Sequence, residues 1–344
     1  MKTYKSLFSK IISFENLLTA AHKAAEGKRE KPNVMLFFLK LEDNLYQLMD
    51  ELAIQCYLPG RYHTFQIYDP KPRLISAAPF GDRVVHHALL NIVGPLLARS
   101  FIYDTYANQV GKGTHKAIRR YQHFLKQYKF LLKCDIKSYF PSIDHKILKS
   151  LIRNRIACPQ TLWLIDTIID GSNRQPQLCD YFPGDSLFTP FERRVGLPIG
   201  NLTSQFFGNY YLNPLDHFIK ETLRCKAYVR YVDDFVVFSD SKLQLKEWKE
   251  NIQIFLRDYR LKLQPKRCHI YPSCTGSRFL GQVVYRTHRR LASDNVRKFK
   301  KRLRRWERHP PHNFQQRLAS WVGHASQANT FSLLVSLGLA NFRK

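Results

Sequence analysis

The chain has 344 residues, long enough for roughly two domains with a sizeable buried core. Its 55 Lys and Arg residues against 27 Asp and Glu residues give a formal net charge of +28, while apolar residues make up 44% of the sequence. This apolar content excludes a disordered chain, and the charge favours a polyanionic partner, nucleic acid before an anionic membrane surface.

Neither a membrane role nor a disulfide framework is indicated. The longest apolar stretch, around Ala88–Ala98, is interrupted by Asn91 and is shorter than the ~20 residues of a membrane span. Glu15 and Asn16 interrupt the apolar residues that a signal peptide would need behind its basic start. The seven cysteines are odd in number and contain no C-x-x-C pair, which argues against disulfides and zinc. We therefore expect a cytoplasmic protein with reduced thiols and no membrane partner.

The secondary structure is predicted from hydrophobic periodicity, turn residues and helix breakers. In chain order the sequence predicts helices at 1–50, strands within 61–80, a helix at 82–101, a buried strand at 130–136, a helix at 145–154, a loop at 172–195, a helix at 200–223, strands within 228–239, a helix at 243–259, strands at 261–263 and 279–285, and a helical unit at 286–344. Ser293 is predicted as the N-cap of a basic helix.

Two adjacent acids, Asp233 and Asp234, separate two β-branched and aromatic runs, as in a hairpin turn. Alone, this pattern is also typical of a solvated acidic turn. Asp135, however, closes another apolar strand, where an unpaired carboxylate would cost several kcal/mol. A divalent cation removes that cost, and hard oxygen ligands favour Mg²⁺. One Asp from each of two strands can bridge two metal ions, so in this basic chain the pattern predicts a nucleotidyltransferase.

The segment Tyr231–Asp234 resembles the Tyr-x-Asp-Asp box of reverse transcriptases, and the segment from Asp135 to Phe140 resembles their motif A. The resemblance covers roughly residues 10–330. It implies that Asp135 and Asp233 bind two Mg²⁺ ions, with Mn²⁺ as a substitute, together with the carbonyl of Ile136. Asp234 would support them.

The same resemblance implies an α+β, right-hand polymerase fold. Its parts would be fingers, a palm built of an antiparallel sheet plus helices, and a short helical thumb. We expect an N-terminal helical extension at 1–58, fingers at 59–129 and 146–205, palm at 130–145 and 206–285, and thumb at 286–344. No room for a ribonuclease H or endonuclease domain is expected after the thumb.

Further residues resemble the family's nucleotide-binding motifs. Lys71 and Arg73 would contact the incoming triphosphate, for which Arg is a suitable bidentate donor. Phe140 lies five residues after Asp135, where the family places the ring that excludes a 2′-hydroxyl. Lys266 would protonate the pyrophosphate leaving group. A charged surface hairpin, a core phenylalanine and a surface lysine remain open alternatives.

Two further segments would bind primer and template. Phe279, Leu280 and Gly281 resemble the primer grip. Arg297, Lys301, Arg304 and Arg308 have i, i+4, i+7 and i+11 spacing, a single helical stripe that would follow a phosphate backbone.

The segment Gly196–Gln205 aligns with motif B but departs from most relatives, which have Gln and Pro where this chain has Ile199 and Gln205. This Ile-Gly-x-x-x-Ser-Gln form is similar to that of diversity-generating retroelement enzymes. Ile199, Gly200 and Gln205 would line the nucleotide site. Isoleucine removes an orienting hydrogen bond worth ~1 kcal/mol, which we expect to lower fidelity unless Ile199 is merely an apolar packing choice.

The resemblance predicts a bacterial or phage-encoded RNA-directed DNA polymerase that makes adenine-mutagenic cDNA from a template-repeat RNA for mutagenic retrohoming. Its partners would be template RNA, primer, dNTPs and a small, helical, oligomeric accessory variability determinant. Three alternatives remain open: a group II intron or retron enzyme, an abortive-infection defence enzyme, and a non-catalytic RNA-binding protein of the same fold.

Overall fold

The computed structural model describes residues 3–68, 72–173, 175 and 179–342. Helices and a two-stranded hairpin form the first part of the chain. The elements are α1 (Phe8–Ile11), α2 (Phe14–Ala25), α3 (Pro32–Leu39), α4 (Leu41–Ala53), β1 (His63–Ile67), β2 (Arg73–Ala77), α5 (Phe80–Ala98), α6 (Thr114–Gln127) and β3 (Phe130–Asp135). These bounds confirm the predicted helices, the strands within 61–80 and the buried strand that ends at Asp135.

The rest of the chain alternates short helices with antiparallel strands. The elements are α7 (Tyr139–Ser142), α8 (His145–Arg153), α9 (Pro159–Asp170), α10 (Thr189–Glu192), α11 (Leu202–Tyr211), α12 (Asn213–His217), β4 (Tyr228–Tyr231), β5 (Asp234–Ser239), α13 (Lys242–Asp258), β6 (His269–Pro272), β7 (Ser277–Phe279), β8 (Gln282–Val284), β9 (Arg289–Leu291), α14 (Ser293–Arg308), α15 (Phe314–Ala325) and α16 (Phe331–Ser336). A π-helical turn covers Phe218–Thr222, and 3₁₀ turns cover Pro265–Arg267 and Ala340–Phe342. In the described part of the chain, no helix is long and apolar enough to span a bilayer.

The chain forms two compact units, each assembled from separate segments. The first unit consists of Met1–Tyr103, Ile136–Thr222 and Asn251–Leu263, and the second of Asp104–Asp135, Leu223–Glu250 and Gln264–Lys344. In the first unit the long helix α5 is surrounded by α1, α2, α3, α4 and α11. Helix α2 buries Leu17 and Ala21, and α5 buries Val84, Val85 and Ala88.

The second unit is built on a four-stranded sheet with the order β4-β5-β3-β6, in which every pair is antiparallel. Leu131 of β3, Val229 of β4 and Val236 of β5 share one buried cluster with Tyr121 and Phe124 of α6. This packing covers one face of the sheet and fixes the strand register.

A second sheet, of order β7-β8-β9, leads into the C-terminal helices of the same unit. Helix α14 buries Phe299, Leu303 and Trp306, and Phe299 stacks on Trp321 of α15 with parallel rings 3.5 Å apart. The basic residues of α14 therefore face away from the apolar core that α14 forms with the helices after it.

Several details differ from the sequence predictions. Helix α10 lies inside the predicted loop at 172–195, and a turn divides the predicted strand at 279–285 into β7 and β8. The predicted helix at 200–223 is divided at Leu212, because Pro214 lacks a backbone N–H and cannot continue α11; it lies instead in the first turn of α12. The strand at 261–263 is reduced to a single bridge between Leu263 and Ile136. Strand β9 interrupts the region predicted as wholly helical. Ser293 is the first residue of α14 rather than its cap, and Ala292 holds the cap position without a side-chain hydrogen bond.

Candidate active site

Two of the predicted carboxylates lie directly opposite each other in the central sheet. Asp135, the last residue of β3, pairs with Asp234, the first residue of β5. Side chains of directly opposed residues point to the same face with Cβ atoms ~5 Å apart. The third carboxylate, Asp233, lies in the loop of the β4–β5 hairpin. The backbone positions of all three residues therefore lie at one end of the sheet.

The hairpin that carries Asp233 has an unusual conformation. Tyr231 pairs with Asp234, so that only Val232 and Asp233 form its loop. Val232 has a φ of 59°, in the left-handed region that β-branched residues avoid at a cost of order 1–3 kcal/mol. Such strain persists only where the surrounding contacts impose it. One such contact is the Nη1 donor of Arg230, 3.0 Å from the carbonyl oxygen of Val232.

Cations lie beside two of the carboxylates. The Arg267 Nη1 donates to Oδ2 of Asp135 over 2.6 Å. The Lys133 Nζ lies 3.4 Å from Oδ1 of Asp234 and donates to the carbonyl of Arg278 over 3.1 Å. Burial raises the pKa of the Asp234 carboxyl above its ordinary value, and the charge of Lys133 opposes that rise.

The carboxylates fit a hard divalent cation by their donor chemistry. Oδ1 of Asp234 is buried and accepts no hydrogen bond in the described part of the chain, although the Lys133 ammonium lies 3.4 Å away. A buried carboxylate oxygen beside a second carboxylate is a place where a bound cation lowers the free energy. No group of three or more His, Cys, Asp or Glu side chains converges on one point over residues 3–68, 72–173, 175 and 179–342.

Within the first unit, strand β2 meets motif B. The Ser76 N–H donates to the carbonyl of Ile199 over 2.9 Å, and Ile75 pairs with Ile199 in a parallel bridge. Gly200 has a φ of 125°, and a Cβ there would lie 3.0 Å from the carbonyl oxygen of Ser76. The close approach requires glycine at this position. This close approach joins motif B to β2, the strand that begins with Arg73.

Phe140 is tied to the same part of the first unit. The Leu197 N–H, two residues before Ile199, donates to the carbonyl of Phe140 over 2.9 Å. A Cβ on Gly208 would lie 3.0 Å from the Phe140 ring, so α11 packs closely against that ring. Phe140 is only partly buried. Backbone contacts thus link Phe140, the segment of Ile199 and Gly200, and the strand β2 that begins with Arg73.

The other residues predicted to act at the nucleotide site are Lys71, Ile136, Gln205 and Lys266. Lys71 lies outside the described residues. Gln205 and Lys266 are exposed, and Ile136 is buried beside Leu263. Arg267, the neighbour of Lys266, is the residue of that segment that contacts a carboxylate.

The predicted primer grip is the tip of the β7–β8 hairpin. Phe279 pairs with Gln282, which leaves Leu280 and Gly281 in the loop with φ values of 46° and 83°. Two positive φ values are typical of a type I′ turn. The Phe279 ring is fully buried against Tyr121, and Leu280 is partly buried against the same apolar cluster.

The predicted stripe on α14 lies along one open groove. Its members are exposed, and the groove contains two further cations of the same helix. Its basic lining is Arg297, Lys300, Lys301, Arg304, Arg305 and Arg308. The helical prediction is therefore confirmed, and Lys300 and Arg305 enlarge the basic surface.

Three cations that contact the carboxylates or their hairpin were not identified from the sequence. Lys133 could have been found, because it precedes Asp135 by two residues and alternation places both on one face of β3. Arg230 and Arg267 carry no such signal, since their partners are a backbone carbonyl and a residue 132 positions away.

Comparison with known proteins agrees with these motifs. A family model described as reverse transcriptase (RNA-dependent DNA polymerase) matches residues 68–284, more than half of the chain. Protein YkfC of Escherichia coli (strain K12) is 24% identical over 308 aligned residues, which cover 77% of this chain and 77% of that protein.

Proposed function

Because this chain belongs to the reverse transcriptase family and is an RNA-directed DNA polymerase, we propose that it makes error-prone cDNA from a template-repeat RNA for mutagenic retrohoming. The observation that carries the polymerase chemistry is the pairing of Asp135 with Asp234 beside the Asp233 hairpin. Asp135 and Asp233, with the Ile136 carbonyl, would hold two Mg²⁺ ions. Bound there, such ions activate an attacking 3′-hydroxyl and stabilise the leaving pyrophosphate.

The protein's own cations would act around these carboxylates. Arg267 donates to Oδ2 of Asp135 and would share this carboxylate with a bound metal ion. Lys133 keeps positive charge near Asp234, whose ionised form burial disfavours. Both residues therefore keep the carboxylates in place and compensated before substrate binds.

The β2–motif B assembly of the first unit supports a nucleotide site. Arg73 would bind the triphosphate together with Lys71, and the Phe140 ring would exclude a 2′-hydroxyl. Ile199 offers only shape contacts, because its carbonyl is already bonded to Ser76 and its side chain neither donates nor accepts. We infer that this lack of a polar contact lowers discrimination between incoming bases.

The finer assignment rests on Ile199 and Gln205, the two departures from the common motif B. We propose the predicted fingers, palm and thumb boundaries on the same resemblance. The large positive charge would serve the structured RNA and the helical accessory protein as well as the primer–template duplex.

Sequencing of cDNA made on an RNA template tests this assignment. Errors should concentrate opposite template adenines, and Ile199→Gln should lower them about fivefold, the factor that corresponds to a hydrogen bond of ~1 kcal/mol. Ile199→Val is the matched control, since it changes volume without adding polarity. An even error spectrum, unchanged by Ile199→Gln, would argue against the mutagenic assignment. Two near-identical repeats that differ at adenine positions in the flanking DNA would support it independently.

A further inference from the structure

We propose that Arg230 is a positioning residue for the metal-binding Asp233, because its buried guanidinium fixes the peptide bond between Val232 and Asp233. The inference rests on the proposed role of Asp233 as a metal ligand and does not depend on the retroelement assignment. It concerns Arg230, one position before the Tyr-x-Asp-Asp box, which the motif resemblance left without a role.

The geometry of the two-residue loop defines what must be fixed. Positive φ at Val232, without positive φ at Asp233, is the pattern of a type II′ turn. The type I′ turn, with positive φ at both positions, differs from it by a flip of the central peptide. Aspartate tolerates the left-handed region better than most residues. The loop therefore has a nearby alternative conformation in which the Asp233 carboxylate points elsewhere.

The carbonyl of Val232 belongs to that central peptide, and it accepts the hydrogen bond from Arg230 Nη1 over 3.0 Å. A flip would turn the carbonyl away and leave a buried charged donor without this acceptor, which is costly. Arg230 is 0% exposed, so water cannot replace the carbonyl easily. The contact thus selects one of the two turn conformations.

Arg230 can hold the loop because its own backbone is fixed. Its N–H donates to the carbonyl of Asp104, and its carbonyl accepts from the N–H of Tyr106, each over 3.0 Å. Asp104 in turn binds Arg120 over 2.8 Å. On the next residue, the Tyr231 hydroxyl lies 3.1 Å from that of Thr114. Hydrogen bonds from both Arg230 and Tyr231 therefore hold the strand before the loop in place. The Arg230 guanidinium reaches the turn from this fixed backbone.

A double-mutant cycle separates this role from simple stability. Arg230→Met removes the donor, and Val232→Gly supplies the residue that a type II′ turn prefers at its first loop position. We expect Arg230→Met to lower kcat about 10- to 100-fold, with KM for dNTP and the Kd for primer–template changed less than about twofold. Adding Val232→Gly to Arg230→Met should restore kcat about fivefold, and the Val232→Gly single variant, measured in the same cycle, gives the effect of the glycine alone.

Binding of Mn²⁺ to the protein without nucleotide gives a readout that is independent of turnover. Arg230→Met should weaken it about tenfold, and the double variant should recover most of this loss. Arg286→Met is the matched control, since Arg286 also donates to backbone carbonyls, those of Leu125 and Tyr128, within the same unit. Its loss of thermal stability should not be relieved by Val232→Gly.

Three results would overturn the proposal: a wild-type kcat and Mn²⁺ affinity for Arg230→Met, a double variant no better than Arg230→Met, or an equal rescue of Arg286→Met. If Arg230→Met does not fold, as judged by circular dichroism, Arg230→Lys replaces it in the cycle. Lysine keeps the buried charge but not the planar donor, so the same rescue by Val232→Gly is expected. Its absence would contradict the proposal.

Discussion

Removing the basic stripe of α14 should weaken binding of primer–template in a way that depends on salt. The four residues Arg297, Lys301, Arg304 and Arg308 are replaced together by Gln, which keeps helix propensity. They span eleven positions of a helix that rises 1.5 Å per residue, so the stripe is ~16 Å long. That length suits contacts with several successive phosphates.

The magnitude follows from counterion release. Each neutralised phosphate contributes ~0.9 to the slope of log K against log salt. If each stripe residue contacts one phosphate, the slope should fall by about 3 to 4 in the quadruple variant. Removal of four charges from a chain of net charge +28 would, by long-range attraction alone, have a much smaller effect on the slope.

The assay is fluorescence anisotropy of a labelled DNA primer on an RNA template between about 50 and 200 mM salt, the range over which such slopes are usually measured. The control variant replaces four exposed lysines elsewhere, Lys10, Lys40, Lys126 and Lys246, by Gln, and so has the same net charge. Its slope should change by less than about 1. Equal slopes for the two variants would refute the assignment of the stripe to the duplex.

Two other predictions concern single residues of the site. Asp234→Asn should raise the melting temperature by about 2 °C or more while lowering activity, because the fold raises the pKa of Asp234 and so disfavours its charge. The cost of ionising Asp234 in the folded protein is absent below the pKa of the unfolded chain and complete above the raised pKa of the folded protein. The gain in melting temperature, measured by calorimetry, should therefore disappear in acid. An equal gain at acid and neutral pH would contradict the reasoning. Phe140→Ala should lower the preference for dNTP over rNTP about 10- to 200-fold in single-nucleotide incorporation, with Phe140→Tyr as the control; an unchanged preference would show that the ring only packs against α11.

The central strands of the site were predictable because their sequence pattern matches their burial. The apolar run before Asp135 and the two runs around Asp233 and Asp234 favour buried strands with acids at their ends, and β3, β4 and β5 are found at these positions. The basic stripe of α14 was predictable for the same reason, since its spacing matches the helix period.

The features that escaped prediction depend on contacts between distant segments. A β-branched residue such as Val232 argues against positive φ, and only its surroundings, Arg230 among them, impose it. The ion pair of Arg267 with Asp135 likewise joins residues that no local pattern connects. The break at Leu212 could have been found from Pro214, whose effect on the helix is local.

Primer extension on an RNA template by the purified protein and by its Asp233→Ala variant tests the central claim most directly. The account predicts that the wild-type chain extends a DNA primer with dNTPs when Mg²⁺ is present, and that Asp233→Ala binds the same primer–template with similar affinity but does not extend it. Extension by Asp233→Ala at the wild-type rate would contradict the assignment of the β4–β5 hairpin as the catalytic centre.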